Sequence, residues 1–159
     1  MKEETNTYNV NFNTGIISII MQLGRAIQML KGAPVNPDHS NLWADLGCGD
    51  GLFTHALASL LPPQSHIYAI DKNFHQIDSD KPDIEITFIK SDFGIDNLSL
   101  PPLDGILMAN SLHFIRDKTA IIQKLLKHLN ENGFFIIIEY DTVRANPWVP
   151  ITIRSWKYL

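Results

Sequence analysis

The sequence predicts an α/β fold in which helices cover both faces of a mostly parallel β-sheet. Two observations support this prediction. Short apolar segments alternate with helical patterns along the chain, which is typical of parallel strands joined by crossovers. The last segment, Phe134 to Tyr140, contains five consecutive apolar residues, as expected for a strand that is covered on both faces. Ligands of such folds bind beyond the carboxyl ends of the strands, so the residues that end each strand are the candidate site residues.

Five strands are predicted from these segments. They comprise residues 41–46, 65–70, 85–90, 104–109 and 134–140. The connections after the second and third strands are close to the minimum of roughly 10–12 residues for a crossover between parallel strands. We therefore expect the helix in each of these two connections to be short or irregular.

Three helices are predicted from apolar residues that recur three and four positions apart. They comprise residues 14–31, residues 52–61, and the segment that begins after Asp117 and ends at Asn132 and Gly133. Thr14 and Asp117 are suitable N-caps, and glycine follows the last turn of the first and third helices.

The length and composition indicate one domain. The chain has 159 residues, of which 45% are hydrophobic and 19% charged, so we assign residues 1–159 to a single domain. Residues 1–13 are expected to be loose, and residues 146–159 to form an irregular or truncated tail. The formal charge is −4 and there is no basic tract, so we do not expect nucleic acid as a partner. The six histidines show no metal-ligand spacing, and no metal is expected.

The sequence also argues against a membrane protein and against a secreted protein. The longest apolar run, Phe134 to Ile138, has five residues, whereas a membrane span needs about 20. The polar, acidic start of the chain does not resemble a signal peptide, and the single cysteine, Cys48, excludes a disulfide scaffold. We therefore expect a cytoplasmic protein without membrane association.

A glycine-rich turn follows the first predicted strand. Gly47, Gly49 and Gly51 complete the pattern D-x-G-x-G-x-G, which begins at Asp45. A dinucleotide fingerprint would place its third glycine at the position of Leu52, and a phosphate loop would end in G-K-[ST]. The turn therefore favours a ligand that approaches the backbone closely but carries no pyrophosphate.

Acidic residues at the strand ends describe this ligand further. Asp45 and Asp50 would repel a phosphate and suit a ligand with a positive charge. Asp71 ends the second strand, where an acid can accept hydrogen bonds from both ribose hydroxyls. Asp92 follows the third strand and can accept from an exocyclic amine such as that of adenine. S-adenosylmethionine has an amino group, a ribose and an adenine, but no phosphate.

The sequence resembles class I S-adenosylmethionine-dependent methyltransferases of the small-molecule type. The matching segments are residues 44–51, 69–71, 90–93 and 103–110, within a similarity that covers about residues 14–145. The resemblance implies that the turn of Gly47, Cys48, Gly49 and Gly51 cradles the methionine portion, with Asp45 near its amino group. It further implies these contacts: Asp71 with the ribose, Lys72 along the adenine face, Asp92 and Phe93 with the adenine, and Asn110 beside the sulfonium. Lys72 departs from the family, which often has an apolar residue there, and its methylene stem would take that place.

The resemblance also implies a strand order. The class I fold is a three-layer, Rossmann-like sandwich with seven strands in the order 3-2-1-4-5-7-6. The chain ends nineteen residues after Tyr140, where its fifth strand ends. We therefore expect about five strands in the order 3-2-1-4-5, short of the sixth and seventh. We also expect self-association through the exposed edge of the fifth strand or through the tail.

Methyl transfer from a sulfonium is an in-line displacement that needs no protein nucleophile, and its product here would be S-adenosylhomocysteine. A base helps only when the acceptor must lose a proton. His113 is the candidate base, and its alternative role is that of a half-buried histidine that supports the loop. Tyr140 and Asp141 are candidates for lining the acceptor pocket, and Tyr8 or Phe12 for closing over it.

The segment Asn110-Ser111-Leu112-His113 lacks the N-P-P-[YF] pattern of methyltransferases that act on nucleobase amines. This favours a small-molecule acceptor. Two alternatives stay open at this point. One is a binding module that takes up S-adenosylmethionine without transferring the methyl group, and the other is a nicotinamide-dependent oxidoreductase.

Overall fold

The computed structural model describes residues 22–142, 144–147 and 149–152. Its elements are as follows, in chain order: helical residues 22–30 (α1), β1 Leu42–Leu46, α2 Leu52–Ala58, β2 His66–Asp71, β3 Glu85–Lys90, β4 Leu103–Ala109, a 3₁₀ turn Leu112–Phe114, α3 Lys118–Leu126 and β5 Leu129–Ile138. The described part of the helix predicted at 14–31 is helical up to residue 30. Residues 14–21, the N-terminal segment 1–13 and residues 153–159 of the tail lie outside the described residues.

The strands form one sheet in the order β3-β2-β1-β4-β5, and every pairing between neighbours is parallel. The predicted fold class and strand order are therefore confirmed. Within the described residues β3 and β5 form the two edges of this sheet. Self-association through the β5 edge stays a prediction.

Helices cover the two faces of the sheet separately, which gives the three layers. On one face α1 and α2 pack on the strands through a core that includes Leu30, Leu57 and Ile67. On the other face α3 packs through Ile121 and Leu125. None of the helices in the described ranges is long and apolar enough to cross a membrane.

The register between β1 and β4 is fixed by a close approach. Trp43 is fully buried and pairs with Gly105 on β4. A Cβ at Gly105 would overlap the Trp43 ring, so only glycine fits beneath it. This register brings the carboxyl end of β4 beside the glycine turn that follows β1.

The boundary between α3 and β5 differs from the prediction. α3 ends at Leu126, and Leu129 is already in β5, where it pairs with Leu103. The register shifts before Phe134 pairs with Gly105. Gly133 lies in this irregularity, where a Cβ would come within 2.9 Å of the Leu103 carbonyl oxygen. Gly133 therefore permits a bulge in β5 and does not end a helix, as the sequence had suggested.

The connections after β2 and β3 contain no helix among residues 72–84 and 91–102. The prediction of short or irregular helices was therefore wrong for both. These connections are short, and Pro101 and Pro102 interrupt the second one. The helix predicted at 52–61 is also shorter than expected, because α2 ends at Ala58.

Candidate functional site

A cavity of about 330 Å³ opens at the carboxyl ends of β1, β2, β3 and β4. Its lining residues belong to strand ends and the loops that follow them. They are Gly47, Asp71, Lys72, Asn73, Ser91, Asp92, Phe93, Asn110, Ser111, Phe114 and Ile115. The fold thus brings together six of the predicted cofactor residues, namely Gly47, Asp71, Lys72, Asp92, Phe93 and Asn110. The other four, Asp45, Cys48, Gly49 and Gly51, lie outside this lining.

The glycine turn is held against the end of β2 by backbone hydrogen bonds. The N–H groups of Gly47 and Cys48 both donate to the carbonyl oxygen of Ile70, at 2.8 and 3.1 Å. Gly47 has a φ of +77°, and a Cβ there would lie 2.5 Å from the Cβ of Ser111. Gly49 also has a positive φ, but a Cβ there would meet nothing within 4 Å. The backbone is therefore open above Gly49, whereas at Gly47 it lies close to Ser111.

Asp71 joins this turn to the cavity. Its Oδ2 accepts from the Gly49 N–H at 3.0 Å, and its Oδ1 accepts from the Asn73 N–H at 2.9 Å. The His75 Nε2 lies 3.9 Å from the same Oδ1. A carboxylate has about four acceptor positions, so both oxygens retain capacity for a ligand. This arrangement suits a ligand with two adjacent hydroxyls.

Asp45 lies behind the turn, fully buried. Its Oδ2 accepts from the Thr54 hydroxyl at 2.6 Å, while its Oδ1 has no hydrogen-bond partner among the described residues. Burial raises the pKa of the Asp45 carboxyl to about 7; the Thr54 hydrogen bond opposes this rise, and the charge of Asp71 adds to it. Asp45 thus links the end of β1 to α2 across the turn, and its proximity to a cofactor amino group stays a prediction.

Cys48 is buried as well, and burial together with the charge of Asp45 raises the pKa of its thiol. A thiol held in its neutral form is a poor nucleophile. Cys48 therefore acts in the turn as a small buried residue.

Asp92 and Phe93 form the wall that follows β3. Asp92 Oδ1 accepts from the Gly94 N–H at 3.0 Å, and the Asp92 N–H donates to Asp96 Oδ2 at 2.8 Å. Hydrogen bonds from Ser91 and Asp92 hold the pKa of Asp96 below its usual range. Phe93 is almost buried, and its ring edge faces Gly47, 3.6 Å from the position that a Cβ would take there. These contacts fix the wall without using the second oxygen of Asp92.

The opposite wall is the segment that follows β4. Asn110 has a left-handed φ of +54°, a conformation that asparagine tolerates better than most residues. Its N–H donates to the carbonyl oxygen of Ile138 at 2.8 Å. Ser111, Phe114 and Ile115 line the cavity from this segment. Sequence reasoning missed these three, because neither Ser111 nor the apolar pair carries a motif.

A buried pair, His113 and Glu139, holds this wall from behind. Glu139 Oε1 accepts from the N–H groups of Leu112 and His113 at 2.7 and 3.1 Å. Its Oε2 lies 2.6 Å from His113 Nδ1, and only 3% and 5% of the two side chains is exposed. His113 is outside the cavity lining. Glu139 was missed, although a single acid within an apolar segment was a signal for it.

The remaining predicted residues lie around this wall. Tyr140 is half exposed, and its ring centroid lies 6.1 Å from that of His113. Tyr140 and Asp141 line a separate cavity with Thr142, Asn146 and Val149. Tyr8 and Phe12 lie outside the described residues. No group of three or more His, Cys, Asp or Glu side chains in the described ranges could hold a metal ion.

Comparison with models of protein families shows which family the chain belongs to. Residues 42–158 match the family model described as "Methyltransferase domain". The chain belongs to this family of class I S-adenosylmethionine-dependent methyltransferase domains. No curated protein matches the sequence.

Solved structures share the fold at low sequence identity. Coclaurine N-methyltransferase, bound to N-methylheliamine and S-adenosylhomocysteine, has a TM-score of 0.59 at 14% identity over 86% of this chain and 37% of its own. The plantazolicin methyltransferase BpumL, also bound to S-adenosylhomocysteine, has a TM-score of 0.51 at 19% identity, over 80% of this chain and 48% of its own. A putative methyltransferase from Methanococcus maripaludis has a TM-score of 0.53 at 18% identity, over 86% of this chain and 66% of its own. The chain thus spans less than half of the first two proteins.

The cavity of this methyltransferase domain has the groups that the family's cofactor requires. Asp71 has spare acceptor capacity, the backbone above Gly49 is open, and the Ser111 hydroxyl is buried without a partner among the described residues. A ligand with hydroxyl and amino-acid groups satisfies all three. The residues therefore fit S-adenosylmethionine.

Proposed function

We propose that the chain binds S-adenosylmethionine in this cavity and transfers its methyl group to a small-molecule acceptor. The observation that carries the proposal is the convergence of the four strand ends β1 to β4 on one cavity with two acids, Asp71 and Asp92, in its lining. Family membership supports the same chemistry. When bound, S-adenosylmethionine supplies a methyl group that is already activated by its sulfonium.

The residues of the chain would bind and orient this group. Asp71 accepts hydrogen bonds from the ribose hydroxyls with the acceptor positions that Gly49 and Asn73 leave unused. Asp92 accepts from the adenine amine, Phe93 lies at the adenine edge, and Lys72 lies along its face. Asn110 borders the reacting end. Such alignment of two reactants can supply on the order of 7–11 kcal/mol of the reduction in barrier.

For an acceptor that must lose a proton, we keep His113 as the proposed base on its sequence position alone, since it is buried and lies outside the cavity lining. Glu139 Oε2 accepts a hydrogen bond from Nδ1–H of His113, because a carboxylate has no proton to donate. With Nδ1 as the donor, a neutral His113 carries its lone pair on Nε2. The backbone donors on Glu139 Oε1 hold the carboxylate in place.

The binding part of the proposal is tested with two matched variants. We expect S-adenosylmethionine and S-adenosylhomocysteine to raise the thermal unfolding midpoint of the wild type. At a hundredfold excess over Kd, each should increase the free energy of unfolding by about 2.7 kcal/mol. In Asp71→Asn the Kd should rise at least about tenfold, because a hydrogen bond to a charged group is lost. Asp78→Asn is the control, since Asp78 is exposed and lies outside the cavity lining.

Two results would contradict the proposal. One is the absence of any shift with either ligand, and the other is preferential binding of NAD. Transfer is then tested with methyl-labelled S-adenosylmethionine against a panel of small-molecule acceptors. Binding without labelling of any acceptor would favour the binding-module alternative over an enzyme.

A further inference from the structure

One acidic residue, Asp96, ties together the turn that follows β3. Its Oδ2 accepts from the Ser91 hydroxyl at 2.7 Å and from the Asp92 N–H at 2.8 Å. The N–H of Asp96 donates to the carbonyl oxygen of Asp92 at 2.7 Å. Asp96 thus engages both backbone groups of Asp92, an acid that lines the cavity, although Asp96 itself lies outside that lining.

The helix α3 contacts the same turn through Lys124. Its Nζ donates to the carbonyl oxygens of Asp96 and Phe93, the latter at 3.3 Å. The hydrogen bonds from Ser91 and Asp92, together with the charge of Lys124, favour the ionised form of Asp96 and lower its pKa. Hydrogen bonds to an ionised acceptor are shorter and stronger than those between neutral groups. The turn is therefore fixed by charged groups at both of its ends.

This turn also directs the side chain of Asp92. Oδ1 of Asp92 accepts from the Gly94 N–H at 3.0 Å, within the same turn. Oδ2 is then the acceptor that remains for a ligand in the cavity. An acceptor held in one place favours a ligand that donates there over a ligand that presents an acceptor of its own.

We propose that Asp96 is a positioning residue that makes the site selective for adenine over hypoxanthine, an inference that rests on the proposed function. Asp92 accepts from the adenine amine while its carboxylate stays where the turn holds it. Hypoxanthine has a carbonyl oxygen in place of that amine, so two acceptors would face each other and stay unpaired. Asp96 acts through Asp92 and does not contact the ligand.

The test compares two ligands by calorimetric titration: S-adenosylhomocysteine and S-inosylhomocysteine, which has hypoxanthine in place of adenine. The wild type should bind the adenine compound at least about tenfold more tightly, because this preference depends on a hydrogen bond to a charged group. In Asp96→Ala the Kd for S-adenosylhomocysteine should rise about fivefold, whereas that for S-inosylhomocysteine should change by less than about twofold. Asp96→Asn should retain most of the preference, because its amide oxygen can still accept from the Asp92 N–H.

Two further variants separate positioning from a general weakening of the site. Asp83→Ala is the control for the loss of a negative charge, because Asp83 is exposed and lies outside the cavity lining. It should leave both Kd values unchanged. Asp71→Asn should weaken both ligands by the same factor, because both contain the ribose.

The ratio of the two Kd values decides the outcome. An equal loss for both ligands in Asp96→Ala, or an unchanged ratio, would overturn the inference while the proposed function stands. A wild type that binds both ligands equally well would overturn it too. A wild type that binds neither ligand would overturn the proposed function as well.

Discussion

Two buried carboxylates lie near the cavity, one beside the glycine turn and one behind the wall that follows β4, and they are hydrogen-bonded to very different degrees. Glu139 supports the wall that follows β4 and accepts two backbone N–H groups as well as His113 Nδ1. Asp45 links the end of β1 to α2 across the glycine turn, where among the described residues it accepts only the Thr54 hydroxyl. Its second oxygen has no partner among the described residues.

This difference shows how burial acts on a carboxylate. A buried acid with several donors fixes its surroundings, because its hydrogen bonds offset the lost hydration. A buried acid with one donor resists ionisation, and Asp45 accordingly has a pKa raised to about 7 by its burial. The β4 wall is thus pre-organised, whereas the support of the glycine turn depends on pH.

The largest effect is expected on the Glu139 wall. Glu139→Ala removes the acceptor of three buried donors, so we expect the free energy of unfolding to fall by about 4 kcal/mol. Denaturant titration measures this loss. Glu131→Ala is the control in β5, the strand that precedes Glu139, because Glu131 is exposed, and it should change stability by less than about 0.5 kcal/mol. Equal losses in the two variants would show that Glu139 does not hold the wall.

Glu139→Gln separates support from proton transfer within the same prediction. Its amide oxygen can still accept from Leu112 and His113, while its NH₂ group then faces His113 Nδ1 and imposes the other tautomer. We expect a folded protein in which labelling of a proton-losing acceptor falls by at least about 10²-fold. Labelling at the wild-type rate would exclude His113 as the base.

The second effect concerns the contact between the glycine turn and the wall that follows β4. Gly47→Ala places a Cβ 2.5 Å from the Cβ of Ser111 at a φ of +77°, and should cost about 3 kcal/mol in strain and overpacking. Gly49→Ala has a similarly left-handed backbone but open space, and should cost only about 1 kcal/mol. Thermal unfolding of both variants measures the difference. Equal costs would mean that the close approach of Gly47 and Ser111 contributes nothing to stability.

The sequence predicted the parts of this site that depend on one strand end at a time. Asp71, Asp92 and the glycines were recognisable because each ends a strand, and the strand order then brought them to one edge. Ser111 and Glu139 were missed, because their roles depend on contacts between residues far apart in the chain. The Glu139 contact spans 27 residues and joins two strand ends that only the folded sheet brings together.

The errors in the fold have a similar cause. The apolar spacing of Ile121, Leu125 and Leu129 fits a helix, yet Leu129 pairs with Leu103 in the sheet. A pairing across the sheet overrides local periodicity, and periodicity alone does not reveal it. The burial of Asp45 is likewise not readable from its position beside the glycines, because it depends on the elements that pack around it.

The smallest effect is expected on the Asp45 side, and it appears as a pH dependence. In the unfolded chain the carboxyl ionises near its usual pKa of 3.8, whereas in the folded protein it ionises near 7. Between these values the folded state retains a proton that the unfolded state loses, so Asp45 makes stability fall as pH rises. Above about pH 7 both states are ionised and the loss is complete.

Asp45→Asn removes this titration and keeps an oxygen that accepts from Thr54. The stability of Asp45→Asn relative to wild type should therefore increase by about 2 kcal/mol between pH 5 and pH 8 and change little at higher pH. Urea unfolding at several pH values measures the difference, in which the contributions of other groups cancel. Asp50→Asn is the control in the same turn, because Asp50 is exposed, and its difference from wild type should not vary in this range. A flat difference for Asp45→Asn would mean that the buried carboxyl is ionised throughout this pH range.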